Sequence, residues 1–203
     1  MLALLKKDWL VATKTYKMML LVLLLFALVG MLTPRDFFYV LFPLVLCCAL
    51  SASLISYDEH SRWEVFSGTL PVTRRLLVTE RYLFHLLLAA VLFLLCALGI
   101  RRVYGLASAE ARSMLFLMLF CALLLPSVVL PLMFKLGAAK GYLYAMLIMA
   151  LGIGVAYLAS EAMSYSVLLE VGPLAIAAAV LVLLALYVLS WRLSVRLFEA
   201  REL

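Results

Sequence analysis

The charged side chains that could bind a partner are concentrated in one polar segment, residues 58–81. The first part of this segment is acidic and the second part is basic; the residues concerned are Asp58, Glu59, Glu64, Arg74 and Arg75. Hydrogen bonds between ionised groups are shorter and stronger than those between neutral groups. The segment is therefore suited to charge-assisted contacts with another surface.

Side chains that could catalyse a reaction or hold a metal are few. The two histidines, His60 and His85, have no Ser, Cys and carboxylate at a spacing that would make a nucleophile and its base. The cysteines lie inside apolar runs without the paired spacing of a zinc site, so we expect buried thiols: Cys47, Cys48, Cys96 and Cys121. We expect no enzymatic activity, no bound metal and no cofactor held by this chain.

A phosphate-binding loop is also missing from the sequence. The closest segment, Gly137-Ala-Ala-Lys140-Gly141, lacks both the spacing and the strand-to-helix setting that cradle phosphates. If this protein does work, we expect the energy to come from another chain.

The elements that position these residues must lie in lipid. Of the 203 residues, 68% are hydrophobic and 14% are charged, which is far too apolar for a soluble domain. Apolar runs predict an all-α, polytopic protein whose single membrane domain spans residues 1–203. The six predicted spans are Met18–Thr33, Phe37–Tyr57, Tyr82–Ile100, Met114–Phe134, Tyr142–Ser160 and Pro173–Leu189.

Features at the ends of these spans add detail. Residues 1–17 mix apolar residues with lysines, which favours an amphipathic helix in the membrane interface anchored by Trp9. The alternative is that this stretch simply continues span one, which we expect to begin near Thr13. His85, near the start of span three, is expected at the lipid headgroups. No span has a charge near its centre, which disfavours a proton-driven carrier.

The distribution of Lys and Arg predicts the orientation in the membrane. Thirteen of the 17 lie before span one, between spans two and three, between spans four and five, or after span six. The other four lie in the remaining loops. Because Lys and Arg are retained on the cytoplasmic side of short loops, we expect both termini, and the segment 58–81, in the cytoplasm.

Residues 58–81 predict a helix–turn–helix elbow at this face of the membrane. An acidic helix continues from span two and is broken at Ser67-Gly68. Pro71 pushes Leu70 out of the helical region, and Thr73 can then cap a helix that runs into span three.

This segment resembles a loop of the type-2 ABC transporter permeases, and most closely that of a small bacterial six-span group. The resemblance is carried by Tyr57-Asp58-Glu59, Trp63-Glu64-Val65-Phe66, Thr69-Leu70-Pro71-Val72-Thr73-Arg74 and Arg81-Tyr82-Leu83. The opening Leu4-Leu5-Lys6-Lys7-Asp8-Trp9 is also similar to that group.

The resemblance implies that the elbow is the coupling helix, which docks on an ABC ATPase subunit. The residues assigned to coupling are Asp58, Glu59, Trp63, Glu64, Leu70, Pro71, Thr73, Arg74 and Arg75. It also implies a permease of the bacterial plasma membrane that exports a peptide or another amphipathic or hydrophobic cargo. The alternative is a membrane anchor, immunity or sensor subunit that transports nothing; nucleic acid is not an expected partner.

The family works as a permease pair, so a second permease chain is expected, in a homodimer or a heterodimer. Small residues recur along span five at Gly152, Gly154, Ala156 and Ser160, which lets two backbones approach closely in lipid. We expect this row at the dimer seam or along the transport pathway. Pro126 and Pro131 are expected to kink span four.

Overall fold

The computed structural model of the protein describes residues 1–34, 37–105, 108–138, 140–144, 146–148 and 173–200. The described part is helical and contains no strand. Seven helices have described bounds: α1 (Leu2–Lys14), α2 (Lys17–Leu32), α3 (Phe37–His60), α4 (Trp63–Ser67), α5 (Arg74–Tyr104), α6 (Ala109–Leu136) and α7 (Pro173–Glu199). Residues 140–144 and 146–148 are helical as well. The expected all-α fold is observed.

Four of these helices, α3, α5, α6 and α7, are long and apolar enough to cross a membrane. The pair α1–α2 adds a fifth if the two helices count as one broken span. The polytopic architecture is therefore confirmed, whereas the number of six spans is not. Apart from residues 142–144 and 146–148, the predicted span Tyr142–Ser160 lies outside the described residues.

The chain turns by 88° between α1 and α2, so α1 is not a straight continuation of the first span. The expectation that this span begins near Thr13 is wrong, because α2 begins at Lys17. Tyr16 leaves the helical conformation at the corner, and its hydroxyl donates to the Ser53 carbonyl at 2.9 Å. Burial raises the pKa of Tyr16, which keeps this hydroxyl a proton donor. The corner is thereby fastened to α3.

Helix α5 continues without a break from the polar segment into the membrane. Thr73 caps it as predicted: its backbone is extended and its hydroxyl accepts a hydrogen bond from the Leu76 N–H. At about 1.5 Å per residue the helix is about 46 Å long, which exceeds the roughly 30 Å of bilayer hydrocarbon. Its first turns can therefore stand outside the lipid. It ends at Tyr104 and is capped by Gly105, whose φ of +72° suits glycine.

The core is built from buried apolar side chains that join neighbouring helices. One cluster joins α3, α5, α6 and α7 and includes Val78, Leu130, Met133 and Phe198. A second joins α2, α3, α5 and α6 and includes Leu23, Leu44, Leu92 and Met118. As predicted, Cys47, Cys48 and Cys96 are buried free thiols, and Cys121 is half-buried.

Two glycines let α2 pack closely between α3 and α5. A Cβ built on Gly30 would lie 2.5 Å from the Tyr39 carbonyl oxygen of α3. A Cβ built on Gly99 would lie 2.4 Å from the Met31 carbonyl oxygen of α2. Both obstacles are backbone atoms, so these contacts require glycine.

Helix α6 runs through Pro126 and Pro131 as one helix. Each proline lacks an N–H and so leaves the carbonyl four residues earlier without its helical donor. Neighbouring helices donate to both carbonyls: His85 Nε2 lies 3.2 Å from the Ala122 oxygen, and Ser190 Oγ donates to the Ser127 oxygen at 2.8 Å. Partners from α5 and α7 thus satisfy the backbone of α6.

This arrangement corrects the position expected for His85. The side chain is 1% exposed and lies inside the bundle rather than at the headgroups. Its Nδ1 atom is 3.1 Å from Ser51 Oγ and 3.7 Å from Cys47 Sγ. Since a carbonyl oxygen can only accept, we assign the proton to Nε2, which leaves Nδ1 of the neutral ring as an acceptor.

Candidate functional site

Within the elbow, the connection from α3 to α5 runs over residues 61–73. It begins with a break at Arg62, whose φ is +52°, and this break was not predicted. Helix α4 follows and ends at Ser67, at the predicted Ser67-Gly68 break. A tight turn then leads to the Thr73 cap; its backbone bonds run from Leu70 N to Ser67 O (3.1 Å) and from Val72 N to Leu70 O (2.7 Å).

The tip of the elbow exposes apolar side chains. Phe66 is 55% exposed and Leu70 is 36% exposed, and Gly68, Thr69 and Pro71 are exposed beside them. Large apolar groups at the tip of a polar elbow are typical of a surface that binds another protein. Among the residues assigned to coupling, Leu70 and Pro71 belong to this tip.

The base of the elbow, in contrast, is held by a network of ionised side chains. Lys7 Nζ of α1 contacts Asp58 Oδ2 of α3 at 2.8 Å and Asp8 Oδ1 at 3.2 Å. Arg81 of α5 forms ion pairs with both Asp8 and Asp58. The carboxyl group of Glu80 lies 3.9 Å from Arg81 Nε. Three helices therefore meet at one charged junction.

The charges of this junction are buried. The side chain of Asp8 is 0% exposed and that of Arg81 is 5% exposed, so neither charge is solvated if its partner is removed. A buried ion pair contributes little compared with an apolar pair, but breaking it leaves an uncompensated charge. The junction therefore favours one specific arrangement of α1, α3 and α5.

The network reaches the elbow through Trp63. Lys7 Nζ lies 4.6 Å from the centre of the Trp63 ring, at the start of α4. Trp63 also packs against Phe66, with ring centres 5.5 Å apart and ring planes inclined by 44°. Lys7 thus contacts both the ion network and the aromatic residues that lead to the tip.

Glu59 connects the end of α3 to the region after α6. Its carboxylate accepts a hydrogen bond from the backbone N–H of Ala138, which directly follows Gly137, the residue that caps the end of α6. This contact joins the elbow side of α3 to the start of the next segment.

Arg74 and Arg75 bind α7. Arg74 Nη1 donates to the backbone oxygens of Glu199 (3.0 Å) and Phe198 (3.3 Å), which lie at the end of α7. The Arg75 guanidinium lies 5.3 Å from the centre of the Trp191 ring. Basic groups at the carbonyl end of a helix also complement its dipole. These contacts fasten the first turn of α5 to the last turns of α7.

Further polar contacts extend this joint deeper. Tyr82 Oη lies 2.7 Å from Ser190 Oγ and 2.8 Å from Ser194 Oγ of α7. In return, the Tyr187 hydroxyl donates to the Tyr82 carbonyl at 2.8 Å. The helix that leaves the elbow is therefore joined to α7 over several turns.

The residues assigned to coupling thus separate into groups. Leu70 and Pro71 are at the tip, Thr73 caps α5, and Asp58, Glu59, Trp63, Arg74 and Arg75 hold the base. The side chain of Glu64 lies outside the described residues, as do Gly152, Gly154, Ala156 and Ser160.

Sequence reasoning missed both partners of Asp58, Lys7 and Arg81, and the second acidic residue that these cations bind, Asp8. A signal for Asp8 was available. It is the single acidic residue among the first 17, and it stands one helical turn from Leu4 and from Ala12, both of which are buried. A carboxylate within an apolar stripe predicts a buried cationic partner.

A family model described as ABC-2 family transporter protein matches residues 3–199. No curated protein and no solved structure matches the chain.

Proposed function

Since the chain belongs to the ABC-2 transporter family, as a permease subunit of the membrane, we propose that it works in an ATP-driven exporter. A separate ABC ATPase supplies hydrolysis and holds ATP and Mg²⁺. The cargo we propose is a peptide or another amphipathic or hydrophobic molecule, moved outward. The elbow is the part of this chain on which the ATPase acts.

The observation that carries the proposal is the contrast between the two ends of the elbow. Its tip exposes Phe66 and Leu70, whereas its base is held by Asp58 and Arg81. A partner that binds the exposed tip pushes on a short rigid element, and the braced base transmits the displacement to α5. A freely mobile loop would absorb the same displacement without moving the spans.

The braced residues have roles distinct from those at the tip. Leu70 and Pro71 contact the ATPase in this account. Asp58 and Trp63 pass the displacement to α1 through Lys7, and Arg74 and Arg75 pass it to α7. Glu59 passes it to the segment after α6.

The membrane arrangement follows from the charges and from the bend at Tyr16. We place both termini and the elbow in the cytoplasm of a bacterium, with the spans in the plasma membrane. The 88° bend supports an α1 that lies in the interface while α2 crosses the bilayer.

A second permease chain completes the exporter in this proposal. The small residues Gly152, Gly154, Ala156 and Ser160 are our candidates for the seam. Single cysteines at Gly152 or Ser160 should cross-link two permease chains in membranes. Cross-links along span one or span six instead would place the dimer interface there rather than at span five. A monomer with full transport activity would exclude a permease pair.

Photo-cross-linking in the native cell tests the ATPase assignment. A photoreactive amino acid at Leu70 should capture a chain that carries a phosphate-binding loop. The same probe at Leu94, which is 62% exposed on the apolar surface of α5, should not. If the probe captured the ATPase from the exposed Lys140 but not from Leu70, the chain would still have an ATPase partner. The elbow would then not be the surface that contacts it.

A further inference from the structure

A groove lies in the angle between α1, α2 and α5. Its volume is about 470 Å³ and its lining is almost wholly apolar. Trp9 contributes from α1, Leu20 and Leu24 from α2, and Leu87 and Val91 from α5. Trp9 is 50% exposed and Leu87 is 52% exposed, so the groove is open to its surroundings. This inference rests on the interfacial position of α1 proposed above, which places the groove at the depth where acyl chains begin.

Lys6 is the charged side chain of this groove, and it also lines a second hollow across α1. That hollow has a volume of about 400 Å³ and is basic, being lined by Lys7 and Lys14 as well. Lys7 is engaged by Asp58. Neither Lys6 nor Lys14 forms an ion pair with a described residue, so both remain available to an external anion. An apolar groove and a cationic hollow thus meet at Lys6.

We propose that the groove and Lys6 form a binding site for one anionic phospholipid. Its phosphate contacts Lys6 from the side of the basic hollow, and one acyl chain lies along the groove against Trp9. Each lysine near an anionic membrane surface contributes about 1 kcal/mol of attraction. The bound lipid fills the space between α1 and the two spans and so supports the bent arrangement of α1 and α2.

A second copy of the chain is a poorer occupant. If two copies met here across a two-fold axis, the exposed Lys6 and Lys14 of one would approach those of the other, and like charges in contact disfavour association. A lipid brings the opposite charge together with the apolar chain that the groove requires.

Trp9 fluorescence tests this proposal in vesicles that contain no ATPase, so the result is independent of the coupling account. The full chain carrying Trp63→Phe and Trp191→Phe keeps Trp9 as its reporter. It is reconstituted into vesicles of phosphatidylcholine and phosphatidylglycerol, with bromine on the acyl chains of one lipid or the other. We expect stronger quenching by brominated phosphatidylglycerol at equal mole fraction.

Matched variants separate the head-group contact from the groove. Lys6→Gln should lower the preference for phosphatidylglycerol about fivefold, the factor that corresponds to about 1 kcal/mol. Lys17→Gln removes an exposed lysine that lines neither hollow and should leave the preference unchanged. Val91→Phe should fill the groove and reduce quenching, whereas Leu94→Phe should not.

Equal quenching by the two lipids would overturn the proposal, as would equal effects of Lys6→Gln and Lys17→Gln. A disulfide between two copies through a cysteine at Leu87 would instead identify a second chain as the occupant. Native mass spectrometry of the unaltered chain and of the two lysine variants counts bound phospholipids directly and needs no tryptophan replacement. We expect the unaltered chain and Lys17→Gln to retain phosphatidylglycerol in preference to phosphatidylcholine. We do not expect this of Lys6→Gln.

Discussion

His85 donates a hydrogen bond from α5 to the carbonyl oxygen of Ala122 in α6, across 3.2 Å. In a regular helix this oxygen would accept from residue 126, which here is proline and has no N–H. Ser190 of α7 likewise donates to the carbonyl oxygen of Ser127, which has no helical donor because residue 131 is proline. The proline positions of one helix are therefore matched by polar side chains on two others.

A double-mutant cycle tests this pairing. His85→Leu should cost about 1 kcal/mol in the parent chain because it leaves the Ala122 carbonyl without a donor. In a Pro126→Ala background the alanine N–H restores the helical bond, so His85→Leu should cost less. Unfolding in detergent micelles measures both differences. An equal cost of His85→Leu in the two backgrounds would contradict the pairing, and Ser190→Ala with Pro131→Ala supplies a second, independent cycle.

The charged junction should depend on the balance of its charges. Arg81→Leu leaves the buried Asp8 carboxylate without its closest cation, and we expect a loss of about 3–5 kcal/mol. Adding Asp8→Leu removes the uncompensated charge, so the double variant should be more stable than Arg81→Leu alone. Arg102→Leu, at an exposed position of α5, is the control and should change stability little. A double variant as unstable as the sum of both single losses would show that the two charges do not interact.

Close packing of α2 predicts sensitivity at two glycines. Gly30→Ala and Gly99→Ala place a methyl group within 2.5 Å of backbone oxygens of the neighbouring helices. Because backbone cannot rotate away, each should cost about 1–3 kcal/mol in thermal or denaturant unfolding. Ala90→Leu adds more volume at an exposed site of α5 and should be tolerated. Stability unchanged in both glycine variants would mean that α2 is not held as described.

Thiol labelling tests the orientation in a chain whose native cysteines are replaced. A cysteine at Thr69, which is exposed on the elbow, should react with a membrane-impermeant reagent only after cells are opened. A cysteine at Glu110, exposed at the start of α6, should react in intact cells. The opposite pattern would reverse the orientation derived from the Lys and Arg distribution.

The sequence predicted best those features that depend on neighbours along the chain. The Thr73 cap and the break after Ser67 are set by local backbone chemistry, and both are observed. The long apolar runs identified α3, α5, α6 and α7 because lipid imposes a length on each span.

Features that depend on which helices become neighbours were beyond the reach of one sequence. His85 was expected at the headgroups because nothing near it in the chain reveals the carbonyl opposite Pro126. Likewise, nothing in the sequence around Arg74 indicates that it binds the end of α7, 124 residues further along the chain. The sequence shows the charge of Asp58 but not its partner Lys7, which is 51 residues away.

Co-purification from native membranes tests most directly the claim that the elbow binds an ATPase. An affinity-tagged parent chain should retain an ATPase subunit, and Leu70→Asp should lose it, because a charge at the apolar tip opposes docking. Leu94→Asn, which changes the apolar surface of α5 away from the elbow, should retain the ATPase. Retention by Leu70→Asp at the parent level, with unchanged ATP hydrolysis, would contradict the account.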